Sequence, residues 1–244
     1  TTHMGRYLMH VQETFPEERI VDFETLFRWS NSKYQQFWAD WLQYSGIVFE
    51  GSPQPVLERI QMPGSKFFPR VQLNFAENLL NKRGADLAIL GISESRATQE
   101  IGWDELRRRV SQVAQALREA GVGIGDRVAA VFPNISEAVI AALATASIGA
   151  VWSSCSPDFG QQAVLERFGQ IAPRVIFGVN AYVHNGKTID CCDKFNAIVD
   201  ELPSVEQAIM LELVPADDVL KHCLNVQLWD DWISSDPGEL AFER

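Results

Sequence analysis

Residues 126–154 decide the fold of this chain, and they read DRVAAVFPNISEAVIAALATASIGAVWSS. The segment 128–132 is a short uninterrupted apolar run, which is typical of a strand buried on both faces of a sheet. A helix capped by Asn134 or Ser136 is predicted to follow it. A second apolar segment at 150–153 is predicted to form the next strand. Two buried strands joined by a helix indicate a parallel βαβ unit, because parallel strands need such a crossover.

The alternation of strand and helix continues on both sides of this stretch. Apolar segments with few intervening residues predict further strands at 87–90, 175–177 and 208–213, and helices at 73–80, 104–120, 161–171 and 195–202. Alternating elements with short connections are typical of a mostly parallel sheet with helices packed on its faces. The predicted fold class is therefore α/β.

Residues 1–83 have a different, aromatic-rich and irregular pattern, so we divide the chain into an N-terminal cap region, 1–83, and an α/β subdomain, 84–244. In the cap, Ser30 or Asn31 is predicted to cap a helix whose aromatic residues repeat every three or four positions: Tyr34, Phe37, Trp38 and Trp41. Such stripes are usually core, which favours a cap that packs against a larger body. The alternative is an aromatic surface that binds a peptide.

The two ends of the sequence predict a piece of a longer protein. The chain opens at Thr1 rather than at a methionine, and a helical pattern is already under way at 4–11. It closes at Arg244 with no obvious terminating element.

Charge and hydropathy exclude several classes of function. The formal net charge is −11, with 32 acidic against 21 basic residues. Nucleic acids and anionic membranes attract basic faces, so neither is predicted as a partner. No stretch approaches the roughly 18 uninterrupted apolar residues of a membrane helix, and no signal-peptide pattern is present. A soluble protein is predicted.

The cysteines and histidines indicate neither a disulfide framework nor a metal site. The four cysteines contain no Cys-x-x-Cys pair, and adjacent cysteines such as Cys191 and Cys192 rarely bridge each other. Together with the absent signal pattern, this predicts a reducing, cytoplasmic compartment. The four histidines have no metal-ligand spacing, so no metal site is predicted.

The glycine-rich stretch 121–125 follows a predicted helix and precedes a strand. A dinucleotide fingerprint needs the opposite order, with the glycines leading into a helix whose N-terminus meets the pyrophosphate. The stretch is therefore interpreted as a helix stop and turn. Neither a Gly-x-x-x-x-Gly-Lys-Ser/Thr loop nor a Gly-x-Ser-x-Gly elbow occurs in the sequence.

Two polar turns are candidates for ligand binding. Residues 152–160, WSSCSPDFG, leave a predicted strand and enter a helix, where open α/β sheets bind ligands. An ordinary turn in which Asp158 caps the next helix is the alternative, and the residues alone favour it. Residues 184–188, HNGKT, predict a tight turn with positive φ at Asn-Gly. Lys187 there is either a phosphate contact or a plain surface cation.

Several segments, in order along the chain, resemble one family of enzymes. The segment 68–80, FPRVQLNFAENLL, resembles the entry into the large domain of acetyl-CoA and acetoacetyl-CoA synthetases, and Trp29-Ser30, Phe37-Trp38 and Trp41 resemble their N-terminal cap. Residues 102–106 and 144–152 resemble the first two core motifs of AMP-forming acyl-CoA synthetases. The turn 152–160, and Asn185-Gly186-Lys187 after it, are close to the acetoacetyl-CoA branch.

The resemblance implies an adenylate-forming enzyme of ketone-body and lipid metabolism. In this family a carboxylic acid, here acetoacetate, attacks Mg-ATP to give an acyl-adenylate, and the thiol of CoA then displaces AMP. The family's phosphate loop, its aromatic-x-Thr-Glu segment, its ribose-binding Asp and its catalytic lysine do not occur in the 244 residues. The chain is thus expected to be inactive alone, to contain no catalytic residue and to pack against the remainder of the enzyme.

A partial CoA site is what the resemblance implies for this chain. The turn matching Ser156, Pro157 and Asp158 lines the pantetheine path in acetyl-CoA relatives, and basic residues matching His184 and Lys187 lie near the CoA 3′-phosphate. Arginines are replaced here, so the bidentate fork is lost and lysine alone keeps the charge. Two alternatives are a ligase for acetate, propionate or butyrate, and a non-catalytic module that binds CoA, a nucleotide or a protein partner.

Overall fold

The structure is a computed structural model, and it describes residues 2–215, 222–233 and 235–244. The chain divides into two compact units, Thr1–Leu73 and Asn74–Arg244. Among the described residues, none of the helices is both long and apolar enough to cross a membrane.

The first unit is mostly helical. Its elements are α1 (His3–Thr14), a 3-10 turn (Pro16–Glu18), α2 (Phe23–Ser32), α3 (Tyr34–Tyr44), β1 (Glu50–Gly51) and β2 (Val71–Gln72), the two strands pairing antiparallel. Tyr7 and Val11 of α1 are buried together with Leu26 and Trp29 of α2. The aromatic residues of α3 pack on this core, with the Tyr7 and Trp41 ring centroids 4.8 Å apart.

The predicted cap at Ser30 or Asn31 is wrong, because both residues lie inside α2. Asp22 starts that helix earlier, with its carboxylate accepting from the backbone N–H of Thr25 at 2.9 Å in a capping box. The side chains of Ser30 and Asn31 instead donate to the carbonyl of Phe27 within α2.

The second unit alternates strands and helices. Its elements are α4 (Phe75–Leu79), β3 (Leu87–Gly91), β4 (Gln99–Gly102), α5 (Trp103–Glu119), β5 (Arg127–Val131), α6 (Ser136–Ser147), β6 (Val151–Cys155), α7 (Gln161–Phe168), β7 (Val175–Val179), β8 (Ala181–His184), β9 (Lys187–Asp190), α8 (Cys192–Asp200), β10 (Gln207–Leu211), β11 (Gln227–Leu228) and α9 (Trp229–Trp232).

A parallel sheet lies at the centre of this unit, with the strand order β11-β10-β7-β5-β6 among the described residues. Successive side chains of a strand point to opposite faces. Accordingly, Val128 and Ala130 join the core cluster formed with α5, α6 and α9, whereas Ala129 and Val131 join the cluster formed with α7 and α8. Helices therefore cover both faces, and the predicted α/β class with a mostly parallel sheet is confirmed.

Three local predictions have different outcomes. Neither Asn134 nor Ser136 caps α6: Ile135 is its N-cap residue, and the Ser136 hydroxyl donates to Gln99 at 3.0 Å instead. The predicted strand at 87–90 forms, but it pairs antiparallel with β4 outside the central sheet. The helix stop at 121–125 is confirmed, because glycines with positive φ follow α5.

Asn74, the first residue of the second unit, is hydrogen-bonded within that unit. Its side-chain amide donates to the carbonyls of Ala146 at 2.8 Å and Glu243 at 2.6 Å, and its oxygen accepts from the N–H of Glu77. These contacts attach α4 to the second unit. The assignment of 1–83 as a cap and 84–244 as an AMP-binding subdomain stays a prediction.

A disulfide joins Cys192 to Cys223 across a sequence separation of 31. The prediction that the cysteines form no disulfide is therefore wrong: it rested on local cysteine spacing, whereas the fold brings this distant pair together. Cys155 and Cys191 are buried free thiols.

Candidate functional site

The candidate site lies at the carboxyl edge of the parallel sheet. The connection after β5 leads to α6 on one face, whereas the connections after β6 and β7 lead to α7 and α8 on the other. Because β5 and β7 are adjacent and their connections diverge to opposite faces, the sheet has its topological switch point between them. Open α/β sheets bind ligands at such a switch point. Both predicted turns follow strands at this edge, after β6 and β7.

The turn after β6 is organised around Asp158. Its carboxylate accepts from the Ser156 hydroxyl at 2.8 Å and from the Tyr182 hydroxyl on β8. The backbone N–H of Asp158 donates to the Ser156 hydroxyl at 3.3 Å. The alternative in which Asp158 caps the next helix is wrong, because Gly160 is the N-cap residue of α7. Asp158 thus links the β6 turn to β8.

At neutral pH, Asp158 is ionised and Tyr182 is protonated in the hydrogen bond that joins them. The hydrogen bond from Tyr182 lowers the pKa of Asp158, and that from Ser156 lowers it further. Burial, followed by the hydrogen bond to Asp158, raises the pKa of Tyr182 to about 12. Tyr182 therefore remains a proton donor and Asp158 a carboxylate, which suits a positioning contact rather than proton transfer.

Backbone carbonyls of the same turn are bound by a cation from α8. The Lys194 ammonium donates to the carbonyl of Pro157, and it lies 3.4 Å from the carbonyl oxygen of Phe159. The Arg167 guanidinium lies 4.5 Å from the centre of the Phe159 ring, within the range of a cation–π contact. Sequence reasoning missed Lys194, since nothing in the sequence of α8 indicates a contact with a turn nearly 40 residues earlier.

The predicted turn at Asn185-Gly186 is confirmed as the tip of an antiparallel hairpin formed by β8 and β9. Asn185 has φ of 51° and Gly186 has φ of 70°, which is the backbone of a tight two-residue hairpin turn. His184 pairs directly with Lys187 across the hairpin. Directly opposed residues of two strands project on the same face, so these two side chains are neighbours. When its ring is protonated, His184 also helps to lower the pKa of Asp158.

The hairpin leaves the sheet at Asn180, which is fully buried. Its side-chain amide donates to the carbonyl of Val214 at 2.7 Å, and its oxygen accepts from the N–H of Leu213 at 2.9 Å. These bonds tie the end of β7 to the segment that follows β10. Sequence reasoning missed Asn180, because a lone asparagine after a strand reads as an ordinary turn residue.

The five predicted site residues therefore lie on two connected turns at one edge of the sheet. Their polar groups are hydroxyl, carboxylate, imidazole and ammonium groups. Within the described ranges, no group of three His, Cys, Asp or Glu side chains could hold a metal ion. Burial raises the pKa of Cys155 and raises that of Cys191 to about 11, so neither thiol is an activated nucleophile. The arrangement suits the binding of a polar ligand, and the exposed Lys187 suits a phosphate.

Comparisons with known proteins relate the chain to one family of enzymes. The family model described as AMP-binding enzyme matches residues 77–240. The chain is 44% identical over 183 residues to the acetoacetyl-coenzyme A synthetase of Rhizobium meliloti, covering 75% of this chain and 28% of that protein. It is 37% identical to the acetoacetyl-CoA synthetase of Macaca fascicularis, covering 91% of this chain and 34% of that protein.

A solved structure is also similar to this chain over nearly its whole length. The acetoacetyl-CoA synthetase from Streptomyces lividans superposes with a TM-score of 0.88 and 34% identity, covering 98% of this chain and 36% of that chain. The chain thus spans about a third of the length of the relatives it matches.

Proposed function

Because the chain belongs to the AMP-binding enzyme family, we propose that it forms the N-terminal part of an ATP-dependent, AMP-forming acetoacetate–CoA ligase. The observation that carries the proposal is its structural similarity, over nearly its whole length, to a synthetase of that specificity. The parent reaction joins acetoacetate to CoA and converts ATP to AMP and pyrophosphate by way of an acyl-adenylate. We infer a cytoplasmic location from the family resemblance alone, because the Cys192–Cys223 disulfide does not support a reducing compartment.

Within this reaction the described residues form a scaffold and part of the CoA site. Ser156, Pro157 and Asp158 shape the turn along which the pantetheine arm runs. The link from Tyr182 to Asp158 keeps this turn against β8. A turn fixed before the ligand arrives loses less conformational entropy on binding.

His184 and Lys187 form the phosphate-binding end of the proposed CoA site. Lys187 supplies a permanent positive charge beside His184 at the exposed tip of the hairpin. A lysine attracts a phosphate as a point charge, without the bidentate geometry of an arginine. The 3′-phosphate of CoA is the group that these residues bind.

The Mg-ATP site belongs to the remainder of the parent enzyme. The family's phosphate loop and catalytic lysine do not occur among the 244 residues. Charge stabilisation at the transferred phosphate requires such groups. The second unit of this chain therefore packs against the part of the enzyme that carries them, and the chain alone adenylates no acid.

The full-length protein that carries this chain tests the proposed function. AMP formation in the presence of CoA is measured with acetoacetate, acetate, propionate and butyrate as competing substrates. The expected result is the highest kcat/KM with acetoacetate. A higher kcat/KM with any of the other three acids would contradict the proposed specificity, and no AMP with any acid would contradict the proposed reaction.

The proposed CoA site is tested by a charge reversal at the hairpin tip. Lys187→Glu is expected to weaken CoA binding at least tenfold while leaving dephospho-CoA binding nearly unchanged, because only CoA carries the 3′-phosphate. Lys66→Glu, at an exposed lysine in the other compact unit, is the control. An equal loss of affinity for CoA and for dephospho-CoA would show that Lys187 does not bind the 3′-phosphate.

A further inference from the structure

The hairpin that carries His184 and Lys187 does not belong to the central sheet. β8 and β9 pair only with each other among the described strands, and every residue of β9 is exposed. An isolated two-stranded hairpin is marginally stable in water. Contacts from elsewhere in the fold are therefore needed to keep its tip in one position.

The loop between β3 and β4 supplies these contacts. The Glu94 carboxylate accepts from the backbone N–H of Asn185 at 3.3 Å and from that of Gly186 at 2.9 Å. The Ser95 hydroxyl accepts from the N–H of Val183 at 3.0 Å. Two adjacent residues, about 90 positions earlier in the chain, thus bind the tip and one strand of the hairpin.

The next residue of that loop fixes it to the core. Arg96 donates two hydrogen bonds to Glu137, one of them at 2.9 Å, in the first turn of α6. Glu137 is buried, at 7% exposed, and α6 packs directly on the central sheet. An ion pair in such a place is costly to break, because the remaining charge is left without a partner. The hairpin tip is thereby connected to α6 through Glu94, Ser95 and Arg96.

From this chain of contacts we propose that Glu94 is a positioning residue, which holds the hairpin tip so that Lys187 and His184 meet an anionic phosphate. The identity of that phosphate, the 3′-phosphate of CoA, rests on the proposed function. The connection from α6 to the tip rests on the contacts alone.

The charge and the geometry of Glu94 have opposite effects on a phosphate ligand. Its negative charge repels a phosphate, whereas its two hydrogen bonds order the tip. Under the proposal the ordering dominates, so removing the carboxylate weakens binding. Glu94→Gln removes the charge but retains an oxygen that accepts one of the two hydrogen bonds, so its effect lies between those of the wild type and Glu94→Ala.

The first measurement needs no ligand. Hydrogen exchange of the backbone amides of Asn185 and Gly186 is followed by NMR in the wild type, Glu94→Ala, Glu94→Gln and the control Glu100→Ala, an exposed carboxylate on β4. Loss of two hydrogen bonds to a charged acceptor is expected to speed exchange about tenfold or more in Glu94→Ala. Unchanged exchange in that variant would overturn the proposal, whatever the enzyme does.

The second measurement uses the full-length protein that carries this chain. Glu94→Ala is expected to raise the KM for CoA about tenfold, to leave acetoacetate-dependent ATP–pyrophosphate exchange unchanged, and to be partly rescued in Glu94→Gln. A lower KM for CoA in either variant would overturn the proposal, because repulsion would then dominate. Faster amide exchange with an unchanged KM for CoA would also overturn it. A wild type that adenylates no acid would instead contradict the proposed function, while the amide exchange still tests the connection.

Discussion

Asn180→Ala is expected to destabilise the second unit by about 2 kcal/mol. The substitution removes three hydrogen bonds of a fully buried side chain: one to the carbonyl of Val214 at 2.7 Å and two from the N–H groups of Leu213 and Val214, at 2.9 and 3.3 Å. A typical net contribution of about 0.5–1.5 kcal/mol for each of the three bonds gives an upper figure of about 4.5 kcal/mol.

Two features of the structure lower that figure. The N–H of Leu213 keeps a second acceptor, the carbonyl of Leu211 at 3.0 Å. Val214 is half-buried, so water can replace the lost partner of its backbone groups. About 2 kcal/mol remains.

The assay is urea unfolding of the chain followed by far-UV circular dichroism, with the m-value checked for constancy. Asn31→Ala is the matched control, because Asn31 is exposed and sits inside α2, where alanine is favoured. A free energy of unfolding for Asn180→Ala within about 0.5 kcal/mol of the wild type would refute the reasoning.

Asn180→Asp tests the hydrogen bond that the Asn180 amide donates to the carbonyl of Val214. Asn180→Asp places a carboxylate against the Val214 carbonyl at neutral pH, and only its protonated form can donate there. Its stability relative to the wild type is expected to improve as the pH falls. A difference that does not change with pH would mean that the contact to Val214 contributes little.

Two further predictions concern packing and charge in the same unit. Gly178→Ala is expected to lower the free energy of unfolding in urea by about 1–3 kcal/mol, because a Cβ would lie 2.4 Å from the buried Phe195 ring. An unchanged free energy of unfolding would show that the ring moves aside without cost. The Arg108 hydrogen bond lowers the pKa of Glu105 from its ordinary value of 4.5 to about 2. The stability it contributes is therefore complete above pH 4.5 and is lost as the pH falls towards 2. Glu105→Gln is expected to lower the free energy of unfolding by only about 0.5 kcal/mol at pH 7, since this ion pair is partly exposed to solvent. Below pH 4.5 the stability of the variant is expected to depend less on pH than that of the wild type. An identical dependence on pH would show that Glu105 does not contribute to acid unfolding.

The central sheet could be predicted from the sequence because its strands are short, uninterrupted apolar runs. The runs at 128–132 and 175–177 are buried on both faces, and their short length between turn and polar residues indicates strands rather than helices. The hairpin turn at Asn185-Gly186 could also be predicted from the sequence, since that dipeptide favours positive φ at both positions.

Helix starts were predicted less well, because neighbouring hydroxyl and amide side chains compete for the same role. Ser136 has a suitable side chain for a cap, yet its hydroxyl binds Gln99, a residue whose proximity only the fold creates. Glu94 accepts a hydrogen bond from Asn185, 91 residues later in the chain, and the buried Asn180 side chain accepts one from Leu213, 33 residues later. No local pattern indicates contacts of that range, so the site residues were predicted by resemblance and their supporting residues were not.

Under the proposed function, these 244 residues carry the scaffold of an acyl-CoA ligase without its adenylation machinery. Acetoacetate-dependent exchange of labelled pyrophosphate into ATP tests it most directly, with the pure chain and the full-length protein that carries it measured side by side. We expect exchange by the full-length protein and none above background by the chain. Exchange by the chain alone would contradict it.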